Sequence, residues 1–194
     1  MWGRVQVTTP ATALPVLVMD LKTHMRVEND DENALLPGFL AAAIAAIDGP
    51  NGLGVAMMAQ SWTLTLDGFA REIRLPGWPV KSVTAITYLD ADGLSQTVAS
   101  DVYRLDAGRD PARVYLKNAK AWPAHSGEPG AVQIEYVLGE TDRANVPADL
   151  GTAVRLLAAH YFENREVAII GTTTAELPLG VQWVFDRYRR GVVA

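Results

Sequence analysis

The sequence predicts an α+β fold, a helical core of about four helices that carries an inserted small antiparallel β-sandwich or barrel. Three observations predict it. Apolar residues recur at three-and-four spacing near both ends of the 194-residue chain, the pattern of helices that bury one stripe. Between roughly Gln60 and Gly139 that spacing gives way to alternation, the pattern of half-buried strands. Turn signals interrupt the alternating part at short intervals, as they do in small all-β units. The implied organisation is an extended N-terminal arm over residues 1–16, a helical part made of residues 17–59 together with 140–194, and a β-insertion over residues 60–139. Neither helical segment has apolar surface enough to stand alone, so the two are expected to pack as one core.

Taken in order, "MWGRVQVTTPATALPVLVMDLK" is broken by prolines at 10 and 15 and lacks a basic segment ahead of a clean apolar run. It reads as an arm, not a signal peptide. A short helix is expected over Met19 to Val27, with Leu21 and Met25 on one face. Asn29 or Asp30 is then placed to cap a second helix, with Asp31 and Glu32 in its first turn, where the helix dipole favours negative charge. Its buried stripe is Leu35, Leu36, Phe39, Leu40, Ala43, Ile44 and Ile47; Pro37 is tolerated near the start, and "DGPNGLG" ends it.

The β-part opens with Trp62, Leu64 and Leu66 alternating against Thr63 and Thr65. Val83, Ile86 and Tyr88 lie in an extended run that ends in an Asp92-Gly93 hairpin turn before Leu94. "VYRLDAGRDPARVYL" reads as another hairpin, and Val132, Ile134 and Tyr136 as the inward face of a closing strand. Helical spacing returns after Pro147, a residue suited to a first helical turn, with Leu150, Val154, Leu157, Ala158 and Tyr161 in a stripe that reaches about Arg165. "IIGTTTAELP" resists a helix because of its glycine, its β-branched threonines and the proline that follows. A last helix is expected from about Pro178 to Arg190, with Val181, Val184, Phe185 and Tyr188 on one side.

Composition removes several function classes. A formal charge of −5 and a pI near 5.2 oppose phosphate binding, which depends on clustered Lys and Arg. The absence of cysteine excludes disulfides, thiolate metal sites and cysteine nucleophiles. No uncharged apolar run is long enough to cross a bilayer, so a soluble protein is expected.

Catalytic patterns are equally sparse. His160 and Glu163 have a metal-pair spacing, but di-iron bundles need the opposite order twice and carboxylates from further helices, so an interfacial or exposed helix end is the plainer reading. Asp67, Asp90, Asp92, Asp101, Asp106 and Asp110 cluster in the β-part, each at a strand end or turn, where Asp bonds its own backbone; "DADG" lacks the rest of a calcium loop. There is no G-x-S-x-G elbow among the serines, and "GLGVAMMAQ" has no phosphate-loop lysine. No catalytic, cofactor or metal residue is assigned. Trp62 reads as core. Trp78 and Trp122 stand beside prolines, where an aromatic ring either anchors an interface or packs on the sandwich.

Five segments carry a resemblance: "LKTHMRVENDDEN", "QSWTLTLDGF", "IRLPGWPVKSVTAITYLDADG", "AHYFENREVAIIGTTTAELPLGV" and the terminal "YR". From about Leu17 onward they resemble the head-tail connector, or adaptor, proteins of long-tailed bacteriophages and phage-derived gene transfer agents; "HYFENRE…ELPLGV" is the most specific part. The resemblance implies a homo-oligomeric ring of twelve subunits in the virion neck between capsid and tail, assembled in the bacterial cytoplasm. It implies a portal protein on one side, a tail-side stopper or tail terminator on the other, and a channel through which DNA passes without specific binding. It implies no catalytic residue and no cofactor.

A ring subunit can leave apolar surface for its neighbours to cover. On that ground residues 167–179 and the last helix are expected to form a portal or subunit docking element, with Ile169, Ile170, Leu177, Leu179, Trp183, Phe185 and Tyr188 supplying area and Arg187, Arg189 and Arg190 supplying charge. The opposing possibility is that this helix folds back on its own core. The alternative function is a carbohydrate- or surface-binding module using the β-insertion, with Trp78 and Trp122 as stacking platforms.

Overall fold

A computed structural model describes residues 3–28, 30–164 and 179–189. Ile169, Ile170, Leu177 and Arg190 lie outside them. Among the described residues the α+β expectation holds, with four helices and two antiparallel sheets.

The first helix, α1 (Val18–Met25), opens with the Asp20 carboxylate accepting from the Leu17 N–H at 3.2 Å and closes at Arg26 in the left-handed region, φ 56°. The second, α2 (Leu36–Ile47), starts later than Asp30. Proline has no N–H and fits only a first turn, so Pro37 fixes the helix start beside itself. Residues 30–35 form turns instead, held to α1 by Lys22 Nζ on Asp30 Oδ1 at 2.7 Å and on Asn33 Oδ1 at 3.0 Å. Asp31 and Glu32 therefore sit in that turn and not in a helical first turn. The third helix, α3 (Ala148–Glu163), follows Pro147, and α4 (Leu179–Tyr188) is the last. Leu21, Leu40, Ala43, Ile47, Leu150, Val154 and Leu157 from α1, α2 and α3 share one buried cluster, so the two ends of the chain make one core.

The β-part comprises β2 (Gln60–Leu66), β3 (Glu72–Leu75), β4 (Val80–Leu89), β5 (Ser95–Thr97), β6 (Tyr103–Asp106), β7 (Ala112–Leu116) and β8 (Val132–Leu138). A further strand, β1 (Arg4–Thr9), comes from the arm and pairs antiparallel with β2. The five-stranded sheet runs β1-β2-β8-β4-β5 and the three-stranded one β3-β7-β6; both stay open, which rules out the closed barrel. Register places Trp62 opposite Tyr136, Leu64 opposite Ile134 and Leu66 opposite Val132. Period-two alternation then sends all six to one face, where they meet Ile73, Leu75, Ala112 and Val114 of the smaller sheet. Tyr136 is fully buried; its hydroxyl donates to the Pro76 carbonyl at 2.9 Å, and burial pushes its phenol pKa upward, so it stays a neutral donor.

A short stitched junction joins the two halves. Ala56 N–H donates to the Trp78 carbonyl at 2.8 Å, Trp78 N–H to Gly54 at 3.1 Å, Ala59 N–H to Glu140 at 2.9 Å and Gly139 N–H to Pro79 at 3.0 Å. Gly139 has φ +86°, and a Cβ there would collide with the Met58 carbonyl, so only glycine fits this crossing. Side chains continue the stitch: Asp48 at the end of α2 accepts from Met57 N–H at 2.6 Å and Gln60 Nε2 at 2.7 Å, and Gln60 Oε1 accepts from Trp62 Nε1 at 2.8 Å. The β-part is thereby held to the helical core at fixed orientation rather than hung from a linker.

Candidate assembly interface

The last helix has two chemically different faces. Val181, Val184 and Tyr188, spaced three and four apart, are 0%, 4% and 7% exposed and lie in the helical core cluster. The first turn lies against α3, where Gly180 faces the Leu156 side chain. At the other end Tyr188 Oη donates to both Asp149 carboxylate oxygens, at 3.0 and 3.1 Å, and Arg187 Nη1 lies 3.2 Å from Asp149 Oδ2. The start of α4 thus meets the middle of α3 and its end meets the start of α3, an antiparallel pairing. Asp149 also sits in the first turn of α3, where the dipole stabilises its charge. Trp78 completes the cover: its ring lies 6.1 Å from that of Tyr188.

The inner face of α4 therefore packs on the core of its own subunit, with Tyr188 buried there. Phe185 is half-buried against the same cluster. The outer face is different. Trp183 is 58% exposed, and the Arg187 guanidinium sits over its ring at 5.3 Å, a cation–π contact that holds the indole outward. Gln182, Asp186 and Arg189 are exposed beside it. Leu179 starts the helix. Trp183, Arg187 and Arg189 are three of the residues expected from the sequence to serve docking; Asp149 was not foreseen, because it makes no local pattern with residues 38 and 39 positions away.

The other candidates resolve into packing. Trp122 stacks on Phe69 with centroids 4.7 Å apart and planes at 5°, and its Nε1 donates to the Ala70 carbonyl at 2.8 Å. Trp78 packs on the helical core. One ring face of Trp122 is thus taken up by packing within the β-part. Asp90 accepts from Asp92 N–H at 3.0 Å and Leu94 N–H at 2.9 Å, Asp67 accepts from Gly130 N–H at 2.8 Å, and Asp101 and Asp106 pair with Lys120 and Arg109. Asp90 and Asp106 bond within their own turns, whereas Asp67 and Asp101 tie their loops to distant segments. His160 shares a shallow groove with Glu163, His24 and Arg26, and among the described residues no three metal-ligating side chains converge.

No protein-family model matches the sequence, and no curated protein matches it. Solved structures do. A chain in the neck of an empty gene transfer agent particle, computed with C6 symmetry, is 31% identical with a TM-score of 0.73, covering 100% of this chain and 98% of that one. A chain in the neck of a native particle computed with C12 symmetry is 32% identical at a TM-score of 0.71, covering 100% and 98%. A chain in the virion of a native gene transfer agent particle is 30% identical at 0.71, covering 98% and 97%. Identity at this level over both whole chains, with the helical core and β-part superposed together, shows common descent and not fold alone: the protein belongs to the head-tail connector family of long-tailed bacteriophages and phage-derived gene transfer agents, structural components of the particle neck.

Proposed function

We propose that this protein is the head-tail adaptor of its particle: twelve copies form a ring that joins the portal to the tail-side stopper or tail terminator and leaves a channel for DNA. The observation that carries the reading is full-length similarity to neck chains in particles computed with C12 and C6 symmetry. Twelve copies satisfy both, since sixfold symmetry is contained in twelvefold. A structural role also fits the absence, among the described residues, of a cluster of metal-ligating side chains. The net charge of −5 suits a wall that passes DNA without exchanging cations for its counterions.

Residues 167–190 remain the proposed docking element, now with a division of labour. The inner face of α4 anchors the element to its own subunit through Asp149, and the outer face with Trp183, Arg187 and Arg189 is left for other chains. Native mass spectrometry of the protein alone and with its portal tests the reading. A twelve-subunit species that adds to the portal is expected, and Trp183→Ala, on the exposed face of α4, is expected to weaken it. A monomer that never associates with the portal would refute the adaptor role.

A further inference from the structure

A second apolar surface lies away from α4. A groove of about 470 Å³ runs between the N-terminal arm and the end of α2, walled by Pro10, Leu14, Pro15, Ile44, Ala45 and Met58. Leu14 is 44% exposed at its lip. The groove holds one ionisable group, Asp48, whose carboxylate accepts from Met57 and Gln60 but has no cationic partner among the described residues. A half-buried carboxylate in an apolar wall is costly without a counter-charge. Burial correspondingly raises the Asp48 pKa.

The position of this groove relative to α4 matters. Both α2 and α4 pack on α3 but make no more than marginal contact with each other, and Trp183 is not among the residues that line the groove, so the two are separate patches of one subunit. A closed ring of more than two copies needs such a pair, because cyclic symmetry joins each subunit to the next through two unlike patches. The patches are also chemically matched. One side offers a projecting indole and, just beyond the helix, Arg189, which has no ion-pair partner among the described residues. The other offers a hydrocarbon trough with a lone carboxylate. An indole brings about 150–250 Å² of burial and few rotatable bonds, as interface anchors do.

We propose that Trp183 of one copy seats in the arm–α2 groove of the next copy, with Arg189 meeting Asp48 at its wall. This rests on the ring reading and specifies which surfaces close the ring. The chain has no cysteine, so introduced thiols report alone. Ala45, exposed in the groove wall, and Asp186, exposed beside Trp183, would be changed together as Ala45→Cys and Asp186→Cys, and assembled necks treated with a short bis-maleimide.

A ladder of covalent oligomers extending to the full ring is expected from the double variant, and dimers only from rings mixed from the two single variants. Intact rings by native mass spectrometry with no ladder would overturn the groove contact and leave the ring standing. Oligomers from Ala45→Cys alone would overturn it too, since groove would then face groove. No ring of any size would overturn both readings. As a second arm, Ala45→Trp fills the trough from an exposed position: an unchanged melting temperature with ring formation reduced tenfold or more is expected, and wild-type assembly would contradict the contact.

Discussion

The two halves of the molecule manage their apolar surface differently. In the β-part nearly every large apolar side chain is enclosed between the two sheets, and Leu94 at the tip of the β4–β5 turn is the exception at 60% exposed. On the helical side, with the end of the arm that leads into it, Leu14, Leu17, Met19, Leu35 and Trp183 are all 40% exposed or more. Scattered single apolar residues need no explanation, but five gathered on one half do, and the other half shows that this sequence can cover itself. On the proposed ring reading, the helical side is the surface that other chains cover.

That contrast makes predictions of decreasing size. Breaking the self-sufficient half should cost most. Trp62 is fully buried, edge-on to Tyr136 at 6.5 Å and bonded to Gln60, so Trp62→Ala is expected to cost about 3–5 kcal/mol in denaturant unfolding. A loss below about 1 kcal/mol would mean that the sandwich core does not hold the chain together.

Loosening the seam between α3 and α4 comes next. Asp149→Ala strands the buried Tyr188 hydroxyl and frees Arg187, for an expected loss of about 1–3 kcal/mol, mostly from the hydroxyl because the Arg187 pair is largely exposed. Hydrogen exchange should show α4 amides losing protection while β2 and β8 keep theirs. Equal loss in both would contradict the local anchoring. Trp183→Ala is expected to change subunit stability by no more than about 0.5 kcal/mol while impairing ring formation; a destabilised subunit with normal assembly would reverse the roles of the two faces.

The smallest effect is a pH slope. Burial holds the Asp48 pKa above its ordinary value of 3.8, so in the isolated subunit the folded state binds this proton more tightly than the unfolded state. Stability from this group is therefore full below 3.8 and declines as pH rises through the folded pKa. Comparing urea melts of wild type and Asp48→Asn across acidic pH should show that decline only in the wild type. A parallel pair of profiles would mean that the carboxylate is better solvated than its burial implies.

Much of the fold was legible because periodicity records burial. The stripes of α2 and α3, the alternation of β2 and β8 and the Asp92-Gly93 turn follow from spacing alone. β1 was hidden because it is an exposed edge strand, short and followed by Pro10, so Val5 and Val7 carry too little alternation to stand out. The start of α2 was misplaced because capping signals at Asp30 to Glu32 compete with Pro37, and the proline's missing N–H is the stronger constraint. For α4 the stripe Val181, Val184, Tyr188 announced a covered face but not who covers it. That answer lies in Asp149 and Trp78, contacts across long sequence separations that no local pattern encodes.

Hydroxyl-radical footprinting of the isolated subunit against assembled particles tests the division between the halves most directly, because Trp183 and Met19 are reactive and exposed on the helical side while Leu94 marks the β-part. Strong protection of Trp183 on assembly, with Leu94 oxidised equally in both states, is the expected result. Protection of Leu94 with Trp183 still fully oxidised would show that the β-part, and not the helical side, is the surface that assembly covers.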